Sequence, residues 1–343
     1  MCKYFFLLFI GFQQLVAQPL LTKNNQKLIR QYEASIQTAG IQMIQENEWF
    51  DRFRADSFFT RGLVQALRVP HSFEYAFDSL KTISKIYAPD SSFRIFSWQV
   101  MKDFTYYRQR GAIQMKTADG SLKLFPLIDV SDFTKAPNDS IRETKRWIGA
   151  IYYKILLNMA GNKKVYTLLG FDDNEARSNK KWIEILTFNQ DGIPELGGRY
   201  FQYTNDSIKP KQPAYRFNVE YKKDAKVRMN YDVEAEMIVF DHLISETNDI
   251  QNKYTLIPDG TYEAFKWING RWTHIPKLAN LELGNGNAPL ENPIFDAKGN
   301  IDQKKIDEQS KKNKKQSGVE TENPYKLNDK KKKVTKPEEK VDY

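Results

Sequence analysis

The chain has 343 residues, of which 52 are basic and 43 acidic, with 41% apolar and 13% aromatic residues. Residues 297–343 hold 14 of the lysines against 9 acidic residues and Lys3 adds one more, so 37 basic and 34 acidic residues remain for the body. A nearly neutral body lacks the basic stripe that phosphate binding demands, which excludes nucleic acid as the expected partner. Past the first 17 residues, no stretch approaches the ~18 apolar residues of a membrane span.

Residues 1–17 read as a cleaved export signal, with Lys3 as a short basic start and Tyr4 to Phe12 apolar except for Gly11. Leu15-Val16-Ala17 places small or apolar residues before a cut at Gln18. The mature chain is then expected to be soluble and periplasmic or secreted. It would also be free of cysteine, since Cys2 is the one cysteine. Disulfides, thiolate metal sites and cysteine nucleophiles drop out together. Cys2 precedes the apolar run, whereas a bacterial lipid-anchor cysteine would follow it, so no covalent anchor is expected.

Residues 18–92 are expected to form a helical N-terminal region of three helices. Leu28, Tyr32 and Ile36 recur every four residues, with Ile41 and Ile44 beyond. Phe58, Phe59, Leu63 and Leu67 make a second apolar stripe that Pro70 stops, and Ser72 caps a third helix carrying Phe73, Phe77, Leu80, Ile83 and Tyr87 before Pro89.

From residue 93 the period becomes two. Strands are expected over Phe93–Val100, Tyr106–Lys116, Leu122–Ile128, Ile148–Leu157, Val165–Phe171, Trp182–Phe188, Gly198–Tyr203, Glu236–Leu243, Tyr254–Ile257, Tyr262–Ile268 and Trp272–Ile275. The strictest alternation, Tyr215 to Tyr221 and Val227 to Val233, predicts a hairpin with one wet face. Hairpin turns are marked by Asp119-Gly120, Gly161-Asn162, Asp191-Gly192, Asp259-Gly260 and Asn269-Gly270, because tight turns need positive φ, which these residues tolerate. Short turns leave no room for parallel crossovers. The predicted class is therefore α+β, mainly β. N-terminal helices lead into a large antiparallel meander over 93–282, whether roll, barrel-like or two-sheet. Residues 283–343 read as a linker and a Lys-rich disordered tail, too poor in apolar residues to offset its ordering entropy.

The chemistry-bearing residues form no coherent constellation, so no catalytic or cofactor-binding residue and no cofactor is assigned. His71, His242 and His274 lack metal-ligand spacing. Asp241-His242 with Ser245 resembles part of a hydrolytic triad, but neighbours on a strand face opposite ways, so Asp241 does not orient His242. Glu234 and Glu236 sit two apart, yet continue the solvent face of a strand. Asp172-Asp173-Asn174-Glu175 is the best metal candidate, although it lacks calcium-loop spacing. Gly284 and Gly286 precede no helix and are discarded as a dinucleotide fingerprint. Trp98, Trp147, Trp182, Trp267 and Trp272, with Tyr106-Tyr107 and Tyr152-Tyr153, read mainly as core and cross-strand pairs, with one or two left for a binding platform. Asn138-Asp139-Ser140 and Asn205-Asp206-Ser207 match the glycosylation pattern.

The function expected from this pattern is that of a non-enzymatic binding protein for an envelope protein or polysaccharide. One alternative is an envelope glycan or lipid hydrolase using carboxylates or His242. Another is an accessory subunit whose lysine tail touches anionic surfaces.

Overall fold

The computed structural model describes residues 21–278. The expected signal segment 1–17, the tail 283–343 and the Gly284/Gly286 pair lie outside the described residues. Helix α1 (Lys23–Gln45) begins at Thr22, whose hydroxyl accepts the Asn25 N–H at 3.2 Å, and buries Ile29, Glu33, Ile36, Gly40 and Met43 at three- and four-residue steps. Helix α2 (Trp49–Leu67) buries Ala55, Phe59, Leu63 and Ala66 against it. The two backbones meet closely. A Cβ on Gly62 would lie 2.2 Å from Ile36 Cγ2, and one on Gly40 would lie 3.3 Å from the Phe59 ring.

A third helix does not form. Residues 72–74 make one tight turn, residues 75–83 are irregular, and the chain enters strand β1 (Ser84–Tyr87). The apolar residues predicted for that helix are buried, Phe77, Leu80 and Ile83 among them. Its backbone, however, has other partners. The fully buried Arg94 guanidinium donates to the carbonyls of Ser72 and Tyr75 at 2.9 and 2.6 Å, and the Glu33 carboxylate accepts the Ser79 N–H at 2.8 Å. Phe77 adopts φ +57°, which no right-handed helix contains. Tertiary polar contacts override the local period.

The remaining strands are β2 (Phe93–Asp103), β3 (Tyr106–Met115), β4 (Lys123–Ile128), β5 (Arg142–Glu143), β6 (Ile151–Ala160), β7 (Lys163–Asp172), β8 (Ser178–Phe188) and β9 (Pro194–Leu196). They continue as β10 (Phe201–Gln202), β11 (Phe217–Lys222), β12 (Met229–Asp232), β13 (Met237–Ser245), β14 (Leu256–Ile268) and β15 (Arg271–Ile275). They form three sheets rather than one continuous meander. The first is β1-β2-β3-β4, the second β5-β9-β8-β7-β6 with β11 also on β8, and the third β10-β15-β14-β13-β12. Pairing is antiparallel apart from β10 with β15.

The helices cover one face of the first sheet, where Phe59 meets Trp98 edge-on at 5.5 Å. The opposite face, with Phe93, Ile95, Ile113 and Leu127, packs on Trp147, Tyr152, Tyr166, Leu168 and Trp182 of the following region. The second sheet then buries its other face, with Val165, Leu169, Ile183, Phe217 and Val219, against Ile238, Phe240, Phe265 and Trp272 of the third. Four layers result, and β2, β7 and β8 are covered on both faces. Burial on both faces encloses polar side chains as well as apolar ones, Arg94 and Ser97 on β2, Thr167 on β7 and Glu184 on β8 among them.

Two hairpin expectations are corrected. Strands β11 and β12 do not pair with each other, since β11 joins β8 in the second sheet and β12 joins β13 in the third. Alternation fixes which side chains face the core, and both strands do face it, through Val219, Tyr221 and Met229, but from opposite sheets. Asp259-Gly260 is not a hairpin end. The register passes from Asp241↔Tyr262 to Leu243↔Pro258, so residues 259–261 bulge within one long strand opposite His242. The other four turn signals do sit between paired strands, with Gly120, Gly161, Gly192 and Gly270 at positive φ.

Candidate functional site

The inner face of the third sheet carries a polar cluster where the apolar core ends. Phe240 and His242 on β13, Glu263 and Phe265 on β14, and Trp272 and His274 on β15 share this face by alternation. As the sequence implies, Asp241 does not orient His242; it points away and accepts the Arg228 N–H at 2.5 Å. The bulge supplies the missing carboxylate instead. Asp259 Oδ2 lies 2.9 Å from His242 Nδ1, and its Oδ1 accepts the Thr261 N–H and hydroxyl at 2.8 Å each.

Glu263 completes the chain of contacts, with Oε1 3.8 Å from His242 Nε2 and Oε2 bonded to His274 Nε2 and 2.9 Å from Lys209 Nζ. Lys209 also reaches Asp206 at 2.6 Å. The Asp259 hydrogen bond raises the His242 pKa above its ordinary value against the opposing pull of burial. Burial would raise the Asp259 and Glu263 pKa values, but their cationic and hydrogen-bonding partners outweigh it and hold both low. Each charged group here is thus answered by a neighbour. Ser245 does not join the cluster; its hydroxyl bonds to those of Thr255 and Thr247.

The other sequence candidates are dispersed. His71 lies in a left-handed turn against Gly120, and Glu234 and Glu236 are exposed in the β12–β13 turn rather than side by side on a strand. In the acidic loop, Asp172 is buried, which pushes its pKa up to about 6, and accepts from Gln109 and the Asn174 N–H. Asp173 pairs with Lys223 at 3.2 Å, and Asn174 Oδ1 accepts from Lys180. Lysines and amides thus occupy the oxygens a cation would need. Among the described residues, no three His, Cys, Asp or Glu side chains are placed to hold a metal ion. Trp98, Trp147, Trp182 and Trp272 are core, whereas Trp267 is half-buried and stacks on Tyr200 at 6.1 Å.

Tyr200 leads to a second, concave place. A groove of about 630 Å3 is lined by Lys163, Thr187, Arg199, Tyr200, Tyr215 and Arg271, together with Ile141, Gly197, Gly198 and Gly270. It forms where two hairpin tips meet. The Gly161-Asn162 turn ends at Lys163, the Asn269-Gly270 turn ends at Arg271, and a Cβ on Gly270 would lie 3.5 Å from Ala160. Gly197 and Gly198 are required by close approach, since Cβ atoms there would meet Arg216 at 2.7 Å and the Tyr200 ring at 2.6 Å.

Lys163, Arg199 and Arg271 are exposed, none forms an ion pair among the described residues, and no carboxylate lines the groove. Arg199 lies over the Tyr215 ring at 5.0 Å and donates to its hydroxyl at 2.8 Å. Such a surface favours an anion. Both turns are marked in the sequence but the cations beside them are not, because nothing local shows that turns about 110 residues apart in sequence converge. Comparison with family models, with curated proteins and with solved structures gave no match for the chain.

Proposed function

We propose that the chain is a non-catalytic binding protein of the cell envelope or secreted fraction, and that its ligand carries negative charge. The observation that supports this is the contrast between the two sites. The acid and base groups of the His242 cluster are satisfied by one another, while the groove presents three cations and two tyrosines without an acid. A concave surface whose cations have no acidic partner suits binding, whereas catalysis asks for titratable groups facing the open site. The basic and apolar start of residues 1–17 supports export, and an envelope polysaccharide or protein is then the class of partner.

The test uses the full chain on an immobilised polyglutamate matrix, so that the lysine tail is present throughout. Wild type should need more salt for elution than the variant carrying Lys163→Glu and Arg271→Glu. Identical elution of the two would remove the groove from the binding account. Mass spectrometry of protein collected outside the cytosol should give Gln18 as the first residue, and protein held in the cytosol with an intact Met1 or Cys2 would refute the export reading.

A further inference from the structure

We infer that the ligand of the groove is a carboxylated glycan, a chain of uronic-acid sugars; the inference rests on the anion reading above. The backbone offers no cage for a compact anion. The N–H groups of Gly197, Gly198 and Tyr200 are already donated to the carbonyls of Ile185, Tyr215 and Gly198, at 2.6, 2.7 and 2.8 Å. A phosphate site built on oriented amides needs those donors free.

The cations come from separate elements instead: Lys163 opens β7, Arg271 opens β15, and Arg199 lies between β9 and β10. Charge distributed along an open groove suits a ligand whose charges repeat along its length. Arg199 and Arg271 also bring planar forks that match a carboxylate in two-point contact.

The tyrosines fit sugars better than bases. Tyr200 is backed by Trp267 at an interplanar angle of 26°, and Tyr215 has the Arg199 guanidinium over its ring. Each ring therefore has one side already occupied, which leaves at most one apolar face and a hydroxyl edge. A sugar ring packs on such a face and bonds to such an edge. Single-stranded nucleic acid depends on successive stacking platforms in a strongly basic channel, and the body of this chain is close to neutral. The volume of about 630 Å3 lies in the ~300–1,000 Å3 range of sites for organic ligands, room for several sugar units rather than a lone ion.

The experiment is calorimetric titration of the full chain at neutral pH with four probes: tetragalacturonate, maltotetraose, inorganic phosphate and a short oligothymidylate. Tetragalacturonate should bind and maltotetraose should not. Its affinity should fall about tenfold between roughly 50 and 200 mM salt, as two or three cations release counterions. Arg199→Ala and Arg271→Ala are surface changes whose folding circular dichroism can verify, and each should weaken binding about tenfold. Tetragalacturonate binding no tighter than maltotetraose, or binding unchanged in both arginine variants, overturns the inference. If phosphate or oligothymidylate binds in an Arg271-dependent way while tetragalacturonate does not, the anion groove stands and the glycan assignment falls. Silence from all four probes removes both.

Discussion

Arg216 and Glu184 are fully buried side by side, with Nε to Oε1 at 2.8 Å, and the guanidinium also donates to the Leu196 carbonyl at 3.1 Å. Removing one member strands the other charge away from water. Arg216→Met should therefore lower unfolding stability by about 3–5 kcal/mol, read from denaturant midpoints. Neither residue stands out in the sequence, because Arg216 sits at a polar position of a strictly alternating strand and looks solvent-facing. The alternation was correct about direction. What it could not show is that both faces of this strand meet protein.

Two titrations follow from the same scale. His242 has its pKa raised by Asp259, so its charged form is favoured in the fold. That stabilisation is complete below the unfolded value of about 6.5 and is lost as pH rises through the higher folded value. The denaturant midpoint should drop from pH 6 to pH 8, and His242→Gln should flatten that drop. Asp172 behaves oppositely. Burial raises it to about 6, so the fold favours its protonated form and loses stability as pH climbs from about 4 to 6. Asp172→Asn keeps an acceptor for Gln109 and should lessen that decline, to which Asp241, also raised to about 6 by burial, contributes as well. A wild-type profile unaffected by either substitution would show that these groups titrate normally.

At the scale of elements, close helix contact is the sharpest constraint. Gly62 has no room for a methyl beside Ile36, so Gly62→Ala should destabilise by about 1–3 kcal/mol, although alanine is the better helix former. A rise in melting temperature would mean that the hairpin relaxes freely. Elements with a strong period of their own were legible: both helices and the strands bounded by Gly120, Gly161, Gly192 and Gly270. Those governed by distant partners were not. The segment from Ser72 to Ile83 has a helical stripe but gives its carbonyls to Arg94, and Asp259-Gly260 has turn chemistry but serves a bulge.

For the whole molecule, the predicted class of helices followed by antiparallel strands agrees with what forms, but its division into three stacked sheets was hidden. The choice lies in strand partners: β8 takes β7 on one edge and both β9 and β11 on the other. The groove was hidden for the same reason, since its cations gather only when the second and third sheets stack. This separation yields a prediction at molecular scale. Lys163→Glu with Arg271→Glu should change the melting temperature little while lowering the salt needed for elution from the polyanion, because these side chains are exposed. A large loss of stability would mean that the groove cations hold the hairpin tips together.

The position of β8 also governs motion. With neighbours along both edges and protein over both faces, its amides reach solvent only when the surrounding layers separate. In deuterium oxide they should be the last to exchange, at a rate set by opening of the entire domain, whereas β1 and β12, each bordered on a single edge, should exchange through local fraying long before.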